Sequence, residues 1–175
     1  MASGPTPLED FQRSVLMARR LLDVLRSKET LRAARPLPRL LGYQGPMTRW
    51  TDEVYHESLA MTQIFAVAAF EAILGDRVLA KTDKDVRGWR QRLTRLGREG
   101  LVGRLDGVFQ LRNVILHRGG VVDGRLAELR HWQAGRPMTE ILTVEVVSAD
   151  IGALEAAAVQ VAANAVGTQQ LGPRL

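Results

Sequence analysis

From Val54 to Leu79 the chain holds no proline and no glycine except Gly75 near the end, and most of its residues are apolar. An uninterrupted run of that length reads as one long buried helix, and Thr51 with Asp52 offers it an N-cap. A chain of 175 residues has room for a single core wrapped around such a helix, but is short for two. The expectation is therefore one domain over residues 1–175, mainly α.

On either side of that central helix the pattern is also helical. Leu8, Phe11, Val15, Leu16, Leu21, Leu22 and Leu25 recur at three- and four-residue spacings, which predicts an amphipathic helix over 8–34. Three prolines and two glycines make residues 36–46 a connector. Asp83 is placed to cap a third helix over Val86–Arg98, whose apolar stripe is Trp89, Leu93 and Leu96. A fourth helix runs over Leu105–His117 and buries Val108, Leu111, Ile115 and Leu116, with Gly119 and Gly120 as its stop. Residues 141–147 alternate and are β-branched. With the turn at 135–137 they predict a small β-hairpin against 129–133, within 129–147. Asp150 would then cap a last, alanine-rich helix over Ile151–Val166. The fold class expected is an up-down bundle of four to five helices with that hairpin attached.

Hydrophobic residues at 46% and charged residues at 25% are the balance of a chain that folds. The absence of cysteine excludes disulfides and thiolate metal sites and favours an intracellular compartment. Met1–Asp10 lacks a basic stretch followed by an apolar core, so no secretory signal is expected there. Leu59–Leu74 is interrupted by Gln63 and Glu71 and falls short of the roughly 20 residues of a membrane span. A cytoplasmic protein without membrane contact is the expectation.

Of the 24 basic residues, 21 are arginine, and the formal net charge is +5. Between Lys84 and Arg104 seven basic residues stand against Asp85 and Glu99, so this segment alone carries the whole excess. Such a segment is either a solvated helix face or a surface for a polyanion, which the planar guanidinium fork grips through paired hydrogen bonds. On the second reading Arg87, Arg90, Arg95 and Arg118 are the candidate RNA-binding residues.

No Gly-rich phosphate loop, His-Glu-x-x-His helix or Gly-x-Ser-x-Gly elbow occurs, which removes several enzyme classes. Of the three histidines, His56 and His131 stand alone and read as packing residues. Trp50, Trp89 and Trp132 read as packing anchors, with base stacking as the alternative. His117 has company, in the run from Phe109 through Arg112, Asn113 and His117 to Gly119, Gly120 and Asp123. Asn113 and His117 are four apart and share a helix face, whereas Arg112 is turned about 140° from His117 on an ideal helix.

This run resembles the signature of the HEPN superfamily: an arginine, a polar residue, and a histidine after four intervening residues. The Gly119, Gly120 and Asp123 ending is similar to that of several bacterial branches, and the wider resemblance covers about 52–166, including Phe70-Glu71 in the long helix. It implies a metal-independent, cofactor-free endoribonuclease, with Arg112, Asn113 and His117 catalytic and Glu71 as a residue that orients Arg112 through an ion pair. It also implies a symmetric homodimer, because one histidine cannot serve as both acid and base. Such proteins act as toxins or in antiviral defence, so an antitoxin or nucleotidyltransferase partner is expected beside RNA. The alternative is a non-catalytic module that uses the same helices for dimerisation or partner docking.

Overall fold

The computed structural model describes residues 6–27, 47–78 and 88–167. They form helices and no strand: α1 (Pro7–Arg26), α2 (Met47–Val78), α3 (Trp89–Arg95), α4 (Glu99–His117), α5 (Gly124–Arg130), α6 (Met138–Ile141) and α7 (Val144–Gly167). The fold is thus mainly α, as the sequence implies.

Helix α1 opens with a capping box in which the Thr6 side chain accepts from the Glu9 N–H while the Glu9 carboxylate accepts from the Thr6 N–H. It ends at Arg26, earlier than the expected Ala34, because the apolar stripe of Leu22 and Leu25 meets only Lys28 and Glu29 at the next helical positions and Ser27 is already extended. The expected connector at 36–46 and the cap at Asp83 lie outside the described residues. Helix α2 begins at Met47, so Thr51 and Asp52 sit inside it and do not cap it. Helix α3 starts only at Trp89 and stops at Arg95, short of Arg98, because Gly97 takes a left-handed φ of 65°.

α2 touches α1, α3, α4 and α7. It runs antiparallel to α1, since Phe11 meets Phe70 while Ala18, two turns further along α1, lines one groove with Met61 and Thr62, earlier in α2. A line of rings crosses the core from α1 to α3: Phe11 edge-on to Phe70 at 6.2 Å, Phe70 edge-on to Phe109 at 6.3 Å, and Phe109 stacked on Trp89 at 4.0 Å. Trp89 is therefore a packing residue. By length and composition Asp52–Gly75 and Val144–Ala163 are each apolar enough to cross a bilayer, contrary to the shorter apolar run counted from the sequence. Half of the first window is buried within the protein.

Two expectations fail in the C-terminal half. There is no hairpin over 129–147: Leu129 and Arg130 close α5, and α7 starts at Val144, leaving only an isolated bridge between Val121 and Pro137. The alternation at 141–147 deceives because Val144 and Val147 also begin a helical stripe continued by Ile151, Leu154 and Ala158, all buried. The α7 N-terminus is capped by the Thr143 hydroxyl, which accepts from the Val146 N–H, and not by Asp150. Similarly α4 begins at Glu99, because Leu101 and Leu105 extend its buried stripe backwards through Gly100 and Gly103.

Asp150, two turns inside α7, is almost fully buried. Arg130 donates through Nη2 to both of its carboxylate oxygens at 2.7 Å, and Gln63 Nε2 donates to Oδ2 at 2.8 Å. The Gln63 amide also reaches the Val108 carbonyl at 3.5 Å, so α2, α4, α5 and α7 meet at one carboxylate. Gly107 makes room for the arginine: a Cβ there would lie 2.7 Å from Arg130 Nε. The guanidinium also lies over the Trp132 ring at 5.6 Å. Burial pushes the Asp150 carboxyl above its ordinary value of 3.8, outweighing the opposing pull of Arg130 and Gln63.

Arg130→Ala strands that carboxylate and should cost roughly 3–5 kcal/mol in chemical denaturation at neutral pH. A raised folded-state carboxyl pKa means that stability from this group is lost as pH rises from the ordinary value through the raised one. The Arg130→Ala deficit should therefore shrink on acidification, as the stranded carboxyl takes up a proton. A deficit that is constant or grows on acidification would show that Asp150 does not anchor the fold in this way. Gly107→Ala, which displaces the arginine without removing it, should cost less than Arg130→Ala.

Candidate functional site

The run Arg112 to Asp123 occupies the last turn and a half of α4 and the chain leading into α5. Val108, Leu111 and Val114 are buried and fix the rotation of α4 about its axis. That rotation leaves Arg112 and Asn113 half-buried at the edge of the core, and Leu116, His117 and Arg118 exposed.

Arg112 turns toward α2, where its Nη2 donates to Glu71 Oε1 at 2.8 Å. The side chains are 19% and 34% exposed, so the pair sits at the protein's edge rather than in its dry interior. The guanidinium also lies 5.9 Å from the Phe109 ring centroid, which places it beside the aromatic line. The ion pair expected between Arg112 and Glu71 is therefore present. His117 is the last helical residue, one turn beyond Asn113 on the same face, and its imidazole is open to solvent. The structure brings Arg112 to Glu71; within one chain Arg112 and His117 leave the helix in different directions.

Beyond the histidine, local chemistry sets the path of the chain. Gly119 and Gly120 have φ of 60° and 69°, in the left-handed region where glycine is unstrained. The backbone then doubles back: the Val122 N–H donates to the Arg136 carbonyl, the Gly135 N–H to the Val122 carbonyl, and the Met138 N–H to the Gly120 carbonyl. Asp123 caps α5 by accepting the Leu126 N–H at 2.7 Å, and its other oxygen accepts from Gln110 Nε2 at 2.9 Å. Gln110 thus ties the motif helix to the cap of the next one. Asp123 acts here as a helix cap bound back to α4.

The candidate RNA-binding arginines divide. Arg90 is ion-paired with Asp106, which Arg125 also engages at 3.1 Å, and it lies 5.2 Å from the Trp89 ring centroid. Arg90 is thus held in place by the chain, while two guanidinium groups on one carboxylate leave this cluster net positive. Arg95 and Arg118 are exposed, and Arg87 lies outside the described residues. Sequence reasoning missed the Asp150, Arg130 and Gln63 network. Its available signal was a lone amide and a lone carboxylate, each inside an apolar helical run, a placement that demands partners.

The Arg112 and Glu71 pair should be measurable as stability. Arg112→Ala should lower Tm by about 2–6 °C, the equivalent of roughly 1–2 kcal/mol for a chain of this size. His117→Ala should leave Tm within about 2 °C, since an exposed residue at a helix end has little packing to lose. Equal losses in the two variants, read by circular dichroism, would contradict the inward and outward assignment.

Comparison with protein-family models, with curated proteins and with solved structures returned no match.

Proposed function

We propose that the protein is a metal-independent endoribonuclease of the HEPN type, an up-down helical bundle working as a symmetric dimer. The observation that supports this best is an exposed imidazole at the end of α4, one turn beyond Asn113, on a helix whose preceding arginine is held in place by Glu71. An imidazole titrates near neutrality and a guanidinium stays charged, so the two residue types suit proton transfer and the stabilisation of a phosphorane.

Cleavage needs a base and an acid, and one chain offers one histidine at this site. Two copies meeting at the ends of α4 supply both. The His117 imidazole of one copy takes the proton of the RNA 2′-hydroxyl as its oxygen attacks phosphorus. The bond from phosphorus to the 5′-oxygen breaks, and the imidazolium of the other copy gives that oxygen a proton. The products are a 2′,3′-cyclic phosphate and a 5′-hydroxyl. The two Arg112 guanidinium groups face the phosphorane charge, and Asn113 orients the ring or the phosphate. Arg95 and Arg118, with Arg87, guide the strand. A cytoplasmic toxin or defence effector restrained by an antitoxin or nucleotidyltransferase partner is the setting this chemistry suits.

A second reading has its own observation. Arg112 is already committed to Glu71, and an arginine used wholly as a structural brace would leave a non-catalytic dimerisation or docking module.

Purified protein incubated with single-stranded RNA decides between them. His117→Ala should reduce cleavage by about 10²–10⁴-fold while RNA affinity and fold persist. Chelation by EDTA should leave the wild-type rate unchanged. Replacing Arg87, Arg95 and Arg118 by Gln should weaken binding and flatten its dependence on salt by about 0.7 in log–log slope for each phosphate no longer neutralised. A His117→Ala protein that cleaves at the wild-type rate, or activity abolished by EDTA, would transfer the assignment to the docking module or to another chemistry.

A further inference from the structure

The surface between α1 and α2 is unusual for the outside of a protein. A groove of about 530 Å³ runs along the two helices, walled by Met17, Leu21 and Val24 on one side and Met61 and Phe65 on the other. These five large apolar side chains are 40–62% exposed. At roughly 200 Å² for a fully exposed side chain, they present on the order of 500 Å² of apolar surface. That is about the apolar share of the ~800 Å² that each partner contributes to a standard-size interface. It is also at the upper end of what a monomer leaves uncovered.

The rims carry opposite charge. Exposed Arg20 borders the groove on the α1 side. Exposed Glu57 stands on α2 one turn before Met61, on the same face. Because Phe11 meets Phe70 and the two helices run antiparallel, Arg20 and Glu57 differ in level along them by about four residues, or ~6 Å at 1.5 Å per residue.

These features specify an occupant. We infer that the α1–α2 groove is covered by the same groove of a second copy, related by a two-fold axis parallel to the helices. That axis lays α1 of one copy over α2 of the other and keeps every residue at its own level. Arg20 then faces the partner's Glu57 across each edge of a shared apolar core, and the contact is self-complementary as an isologous dimer requires. The other in-plane axis, perpendicular to the helices, would lay α1 over α1 and set basic rim against basic rim. Charge selects the first arrangement over the second. This interface is separate from the meeting of α4 ends proposed for catalysis and does not rest on it.

The test is mass by light scattering at micromolar concentration, with circular dichroism to confirm that each variant is folded. Met61 projects into the groove and is among its most exposed residues, so Met61→Glu should be tolerated by the fold and should halve the mass. Arg20→Glu alone should also weaken association, and Arg20→Glu combined with Glu57→Arg should restore it, because the swapped pair still matches. A wild type that is monomeric, or that is monomeric and floats with anionic lipid vesicles, overturns the inference. So does a mass unmoved by Met61→Glu, or a double swap no better than the single change. If Leu116→Glu, beside His117, halves the mass and Met61→Glu does not, the dimer lies at the α4 ends: this inference fails and the proposed catalytic arrangement stands.

Discussion

A carboxylate removed from water must find its charge balanced inside the protein, and Asp150 does so by drawing three other helices toward it. Arg130 closes on it from α5, Gln63 from α2, and through Gln63 the backbone of α4 is tied in at Val108. Apolar packing resists a slip of one helix against another only through the fit of its side chains, because the hydrophobic effect is itself non-directional. A paired arginine and aspartate allow no such slip, since an offset of one residue leaves both charges buried and unmatched. The short α5 can therefore sit in one place only, and the chain between it and the end of α4 inherits that constraint.

How much of this was legible in the sequence differs by region. The long central helix, most of the core faces of α1 and α4, and the glycine stop after His117 follow directly from apolar spacing and breakers, whereas Leu16, Leu21 and Leu116, which the spacing assigns to those faces, are exposed. Helix ends are less legible, because any Asp or Thr near a boundary fits the pattern of a cap, whereas Thr51, Asp52 and Asp150 are all interior helical residues. The false hairpin has a physical reason: Val144 and Val147 satisfy a strand's alternation over a few residues, and only the downstream Ile151 and Leu154 reveal the longer period. Short apolar runs are ambiguous in this way whenever β-branched residues begin a helix.

The site shows the same division. The ion pair of Arg112 with Glu71 could be anticipated, since a half-buried arginine needs a carboxylate and the neighbouring helix held one. The engagement of Arg90 by Asp106 could not, because no spacing rule connects residues sixteen apart on two different helices. Local structure also accounts for much of the motif's appearance: the two glycines turn the chain, and Asp123 caps α5. For the His117 imidazole it supplies only the place of a basic residue in the last turn of α4, favourable to the helix dipole.

That imidazole stays uncovered for a reason rooted in handedness. The two residues after Arg118 occupy a mirror-image region of backbone space, and L-amino acids with a side chain enter it at a cost of about 1–2 kcal/mol each. A right-handed helix cannot be propagated through them, so α4 cannot grow by another turn and wrap its own terminus. Glycine by itself does not stop a helix, since α4 runs through Gly100, Gly103 and Gly107; what the achirality of Gly119 and Gly120 supplies is unstrained entry into the mirror-image region, and it is their shared handedness that leaves the end of α4 open.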